Sequence, residues 1–281
     1  MDFLVGADPE LFVKKKQAWQ SAHNMVPGTK AEPYPVERGA VQVDGMALEF
    51  NIDPAKNEEE FLLNINTVLK QLKDMIPDDV KMVNKPHAYF NMQVIKDSPE
   101  EALILGCEPD YNAWKGGLQN PAPKPARKNF RTASGHVHVG WCENEDVLDP
   151  EHLDACIRVA QQLDCLIGTA SVLRDPDGKK RRELYGKAGA FRPKSYGMEY
   201  RVLSNFWVGD DELTKWLFKN VQKAMNDLIK GKEYHKILMK KGWDADDVEF
   251  CINEYDHWLA EDILHDLGVD YLGWRKKNIW W

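Results

Sequence analysis

Four short stretches alternate apolar and polar residues with a period of two, the signature of half-buried strands. Residues 132–141 read Thr-Ala-Ser-Gly-His-Val-His-Val-Gly-Trp, so Val137, Val139 and Trp141 alternate with His136 and His138. A strand puts i and i+2 on the same face, and the two imidazoles therefore project together. In residues 4–13, Asp8 and Glu10 share one face while Val5, Ala7, Leu11 and Val13 take the other. In residues 46–52, Met46, Leu48, Phe50 and Ile52 alternate with Ala47, Glu49 and Asn51. In residues 198–202, Met198, Tyr200 and Val202 alternate with Glu199 and Arg201. Two exposed histidines on a half-buried strand would give the first pattern equally well. Carboxylates in mid-strand, however, are disfavoured and costly to bury unpaired. Four such strands argue for one shared, highly charged site, in which hard cations satisfy the carboxylates and in turn hold phosphates.

Other segments change period. Residues 57–75 carry Leu62, Ile65, Leu69 and Leu72 at helical spacing, with Glu58 to Glu60 at the positive end and Pro77 as the stop. Residues 150–172 form a second helix with Leu153, Ile157, Ala160, Leu163 and Ile167 on one stripe. From about residue 210 the pattern is helical, over 213–229, 233–239 and 246–267. Asp44-Gly45 between two strand-like runs predicts a hairpin that brings Gln42 and Asp44 close to Glu49. Residues 88–95 read as a further strand, and Asp97-Ser98-Pro99 caps a short helical turn through Leu105. Residues 14–38, 106–128 and 174–187 read as loops, the last mobile because Lys179, Lys180, Arg181 and Arg182 run in series. Residues 271–281, aromatic and basic, are expected to pack back on the body. Strands early and helices late predict a single α+β domain over 1–281, with helices on one face of an antiparallel sheet.

Composition narrows this little. Of 281 residues, 43% are hydrophobic and 29% charged, ordinary values for a globular chain. A formal net charge of -8 argues against nonspecific nucleic-acid binding. No apolar run approaches a membrane span, and no secretory signal is visible, so a cytoplasmic protein is expected, in the host cytoplasm if a phage encodes it. Five cysteines without CxxC spacing make a zinc cluster or disulfide framework an unfavoured reading.

Together the charged stretches form a resemblance. Gly6-Ala7-Asp8-Pro9-Glu10-Leu11-Phe12, Leu48-Glu49-Phe50, Ser134-Gly135-His136-Val137-His138 and Glu199-Tyr200-Arg201 resemble, in order, four motifs of the glutamine synthetase and glutamate-cysteine ligase superfamily. Within it, the chain resembles the phage-type carboxylate-amine ligases (amidoligases). They share the Asp-Gly turn before Glu49 and a Gly-Cys-x-Pro-Asp segment like residues 106–110. The resemblance implies a curved antiparallel sheet with helices on its convex face, the concave face holding ATP and two or three Mg²⁺ or Mn²⁺ ions. It implies ATP-driven joining of a small-molecule or peptide carboxylate to an amine through an acyl-phosphate. Asp8, Glu10, Glu49, His136 and Glu199 are then metal ligands, with Asp44 or Gln42 at a further metal position. His138 and Arg201 contact phosphates, with Arg131, Arg192 and Lys194 as further cofactor-binding candidates. Arg201, Glu49 and Glu199 carry the catalysis. Most relatives have Glu where this chain has Asp8, a shorter arm. Two other readings use the same residues: an inactive scaffold that kept the sheet, and a metal-dependent hydrolase acting with water.

Overall fold

A computed structural model describes residues 2–103, 110–124 and 127–271. Residues 106–109 of the Gly-Cys-x-Pro-Asp segment, Leu105 and the aromatic tail from 272 onward lie outside the described residues.

Pro9 sets the topology. Residues 4–13 are two strands, β1 (Leu4–Ala7) and β2 (Glu10–Lys15), because proline has no N–H to give to a ladder. The chain changes sheet at this break. The segment expected as a loop contains β3 (Ala18–Gln20) and β4 (Tyr34–Val36). The expected hairpin follows as β5 (Gly39–Asp44) and β6 (Ala47–Ile52), turning at Gly45 with φ of 57°. Helix α1 (Glu58–Met75) is capped by Asn57, whose side chain accepts from Glu60 N, and it buries Phe61, Ile65, Val68 and Leu72. Next come β7 (Val80–Val83) and β8 (His87–Tyr89). Residues 88–95 are therefore strand only at their start. The rest is α2 (Met92–Asp97), because Asn91 caps a helix there.

Beyond the short pair β9 (Tyr111–Asn112) and β10 (Leu118–Gln119), the histidine stretch also divides, into β11 (Phe130–Thr132) and β12 (Val137–Gly140). The second predicted helix is α3 (Pro150–Leu163) and α4 (Thr169–Arg174), joined by a π-helical turn over Asp164–Gly168. The run expected as a mobile loop holds α5 (Gly178–Arg181) and is largely anchored: Arg181 and Arg182 are buried. Arg182 donates to Ser171 Oγ at 2.8 Å and stacks over Tyr255 at 4.8 Å. The hairpin β13 (Ala190–Lys194) and β14 (Gly197–Tyr200) carries the late Glu-Tyr-Arg motif. Helices α6 (Asp211–Ile229), α7 (Tyr234–Lys240), α8 (Ala245–Glu254) and α9 (His257–Asp266) complete the chain. The expected 246–267 helix is thus two, parted at Tyr255 with φ of 65°.

The fold is α+β. One sheet runs β1-β12-β14-β13-β9-β10, the other β3-β2-β6-β5-β4 with β7 also on β2, and β11 pairs with β8. All named strand pairs are antiparallel. Helix α1 packs on β5, β6 and α6, while α3 packs on β13 and β14, so each sheet has helical cover. Fully burying a Leu, Ile or Phe side chain contributes about 1.5–3 kcal/mol, and this packed side is what holds the strands in register. Among the described residues, no helix is long and apolar enough to cross a membrane.

Candidate active site

Two cross-strand rows, one on each large sheet, build the site. In the first, Gly6, His138, Glu199 and Arg192 stand opposite one another across β1, β12, β14 and β13. Asp8, two residues past Gly6, joins this row. Its Oδ1 is 3.1 Å from His138 Nε2 and 3.6 Å from His136 Nδ1. His136 Nδ1 in turn lies 3.0 Å from Glu199 Oε1. In the second row, Glu10, Glu49 and Gln42 stand opposite across β2, β6 and β5, with Asp44 at the end of β5. Gln42 Nε2 donates to Glu49 Oε2 at 2.7 Å, and Ser134 N donates to Glu10 Oε2 at 2.8 Å. Both rows follow from the period-two pattern. Their division between two sheets follows from the break at Asp8-Pro9.

Residues 133–136 hold the rows together. Glu10 N donates to Ser134 O at 2.9 Å, and Gly135 N donates to Leu203 O at 3.1 Å. Gly135 permits this close approach: a Cβ there would overlap Ser204 O and sit 2.6 Å from Trp207 Nε1.

The rows differ in charge balance. Burial acts to raise the Asp8 carboxyl, but the neighbouring His138 outweighs it and holds Asp8 below its ordinary value. Burial acts to lower His138, and Asp8 outweighs that, raising it. Glu199 is desolvated too, yet Arg201 and His136 keep it well below the usual carboxylate range. His136 is pushed down to about 4 by burial and by the charge of Arg201, so it is neutral. The second row is compensated less: Lys30 Nζ pairs with Asp44 Oδ2 at 2.8 Å, but burial and the mutual repulsion of the acids dominate at Glu10 and Glu49. Burial, together with Asp8, Asp44 and Glu10, pushes Glu49 well above the usual range. Burial and Asp44 push Glu10 up to about 7. Like charges opposed across a ladder destabilise a sheet, and either a proton or a bound cation between Glu10 and Glu49 would relieve this.

The donor sets fit divalent ions. Ligand atoms of Glu10, Asp44 and Glu49 all lie within 4.8 Å of one another, as do those of Asp8, His138 and Glu199. Three carboxylates suit Mg²⁺, and the set containing an imidazole suits a softer ion such as Mn²⁺ at least as well. Asp8 Oδ1 and His138 Nε2 are buried and lack hydrogen-bond alignment in spite of their 3.1 Å separation. Neighbouring donors around one small cation stand roughly 3 Å apart, given metal–oxygen distances near 2.1 Å. Both imidazoles stand beside these carboxylates, His138 Nε2 at 3.1 Å from Asp8 and His136 Nδ1 at 3.6 Å from Asp8 and 3.0 Å from Glu199.

Cations crowd the other side of Glu199. Arg192 Nη1 is 3.1 Å and Lys194 Nζ 3.5 Å from Oε2, and Arg201 Nη1 pairs with Oε1. Arg201 Nε also reaches Asp110 Oδ2 at 3.5 Å. Three cavities adjoin these groups. The largest, about 820 Å³, is lined by Asp8, Glu49 and His138, by Lys30 and Lys56, and by Phe3, Trp141 and Tyr196. A polar cavity of about 570 Å³ reaches Asp110, Lys115, Lys187 and Arg201. A small one of about 90 Å³ is lined by Glu10, Asp44, Arg131, Arg181, Arg192 and Arg201. The carboxylates and arginines thus stand between larger spaces.

Residues 127–243 match the family described as phage phiEco32-like COOH.NH2 ligase-type 2. The match covers 117 of the 281 residues, less than half of the chain. No curated protein matches the chain. The ligase-type 2 stretch contains Arg131, His136, His138, Arg192, Lys194, Glu199 and Arg201. Asp8, Glu10, Asp44 and Glu49 precede it, yet the fold brings them against it. Within the ligase-type 2 stretch, sequence reasoning missed the cavity-lining Arg181 and Tyr196. Tyr196, whose hydroxyl bonds His138 Nδ1, carried the one legible signal, a place in the β13–β14 turn opposite the histidines. Arg181 gave none, because a basic run reads as solvated.

Proposed function

We propose that this protein is an ATP- and Mg²⁺-dependent carboxylate-amine ligase that works through an acyl-phosphate. The second acid row carries this reading: Glu10, Asp44 and Glu49 bring three carboxyl groups within 4.8 Å of one another, a set that a divalent cation would hold ionised, beside the stretch that matches the ligase family. Bound ions, held by those three and by Asp8, His138 and Glu199, would neutralise the triphosphate and polarise its γ-phosphoryl group.

The chain's own residues have distinct parts. The large cavity suits the nucleotide, because Phe3, Trp141 and Tyr196 offer aromatic faces to a base while Lys30 and Lys56 bring positive charge. The polar cavity suits the acid and the amine, with Arg201 lining both it and the small cavity. A planar guanidinium there can hold the acid by two parallel hydrogen bonds. A carboxylate oxygen then attacks the γ-phosphorus, the bond to the β–γ bridging oxygen breaks, and ADP leaves. The amine nitrogen attacks the acyl carbon, phosphate departs with the electron pair of the broken C–O bond, and the nitrogen loses a proton. Placement and charge neutralisation supply most of the catalysis in such phosphoryl transfers.

ADP release tests this. It is expected to require a divalent ion and a carboxylate together, and to accelerate when an amine is supplied, across a screen of acid and amine pairs with mass spectrometry of the product. ATP turnover without any acid would instead show a nucleotide hydrolase. A protein that binds no nucleotide would be a scaffold.

A further inference from the structure

Two buried guanidinium groups lack a carboxylate partner, and both line the same small cavity. Arg181 is 1% exposed and Arg131 7%. Neither makes an ion pair among the described residues, and the Nε of each has no hydrogen-bond partner. Both are fixed by main-chain oxygens instead. Arg181 Nη1 donates to Val202 O at 2.9 Å and Nη2 to Arg201 O at 3.4 Å. Arg131 Nη1 donates to Phe130 O at 2.8 Å and to Lys128 O at 2.9 Å. Gly186 leaves the room Arg181 needs, since a Cβ there would overlap Nη1. Buried cations without partners are costly, and sites keep them where an anion completes the balance.

The cavity decides which anion. At about 90 Å³ it admits a group of a few heavy atoms and no nucleotide. Glu10 and Asp44 line its other part, so a guest there meets the acidic group on one side and the arginines on the other. We propose that Arg131 and Arg181, beside Arg201, form an oxyanion pocket that receives the transferred phosphoryl group and the phosphate it becomes. This rests on the ligase reading. When the amine displaces the acyl-phosphate, the C–O bond breaks and the leaving phosphate keeps the electron pair. Arg131 and Arg181 take up the charge that appears on it. Arg181 is thereby a phosphate-contacting residue from a segment whose sequence reads as solvent-exposed.

The test is calorimetric titration of inorganic phosphate into the full-length protein with Mg²⁺ and without nucleotide. One phosphate is expected to bind. Arg131→Gln should weaken it at least tenfold, and Arg181→Lys likewise, because lysine keeps the charge but lacks the fork. Lys180→Ala, at an exposed neighbour paired with Glu183, should leave it unchanged. Should Arg181→Lys melt far below the parent, Arg131→Gln alone decides. Phosphate bound equally by parent and Arg131→Gln, or not bound by the parent, overturns the pocket. Turnover is not needed, so the two readings fail separately. Active ligase with no phosphate effect sinks only the pocket, and phosphate binding without ligation sinks only the ligase.

Discussion

At the residue scale, Glu49 is where charge and function pull in opposite directions. It is 6% exposed, faces Glu10 across the ladder and has Asp8 and Asp44 nearby. Glu49→Gln removes the charge at nearly constant volume. The metal-free variant should therefore melt higher than the parent, by about 2–4 °C for each kcal/mol of relieved repulsion. It should also lose most of its Mn²⁺ and Mg²⁺-ATP binding. Calorimetry on both proteins checks each part, and a variant that binds Mn²⁺ as the parent does would remove Glu49 from the cation site. Glu10, pushed up to about 7, makes binding pH-dependent. A proton on Glu10 competes with the cation, so Mn²⁺ affinity should rise as pH increases from 6 to 8. Metal-free stability has the opposite sign. A carboxyl raised by folding contributes stability that is fully present below the ordinary carboxylate range and lost as pH rises through about 7. An affinity flat across that interval would contradict this placement of Glu10. These acids were legible in the sequence because parity along a strand is a local property. Arg181 was not, because its burial depends on Val202 and Gly186, which the pattern around it does not announce.

At the element scale, breaks matter more than runs. The sequence pattern places the four charged strands correctly but reads 4–13 and 132–141 as single strands. In fact Pro9 and Gly135 cut them, and those cuts carry the chain between sheets. A strand broken by sheet exchange keeps its alternation, which is why the period alone did not show it. The π turn between α3 and α4 was hidden for a similar reason, since its apolar stripe continues. It presents Asp164, fully buried, to Tyr200 OH at 2.5 Å, Trp114 Nε1 at 2.7 Å and Gly189 N at 2.5 Å. Burial outweighs those three donors and lifts Asp164 to about 6. The residue ties β14, between Glu199 and Arg201, to the segment that opens β13. Asp164→Asn should destabilise the fold by about 1–3 kcal/mol even though it removes a buried charge. An amide would turn an NH₂ toward donors that need an acceptor. Thermal melts at pH 7 decide it, and an Asn variant as stable as the parent would show that the network is not held by accepted hydrogen bonds.

At the scale of the whole molecule, two antiparallel sheets each contribute one charged row, and the rows meet where the chain changes sheet. Cavities of about 820 and 570 Å³ adjoin that junction, with Asp8 and Glu49 lining one and Arg201 the other. Two molecules that would repel each other, a polyphosphate and a carboxylate, can be brought together only where cations lie between them. We propose on this ground that the protein activates an acid with ATP before an amine enters. Hydroxylamine tests it most directly, being a small strong nucleophile that intercepts an acyl-phosphate without the natural amine. With ATP, Mg²⁺ and the correct acid, the expected product is the hydroxamate of that acid, one per ADP formed and none with Glu49→Gln. ADP formed in the presence of the acid with no hydroxamate, at a rate indifferent to hydroxylamine, would contradict the claim.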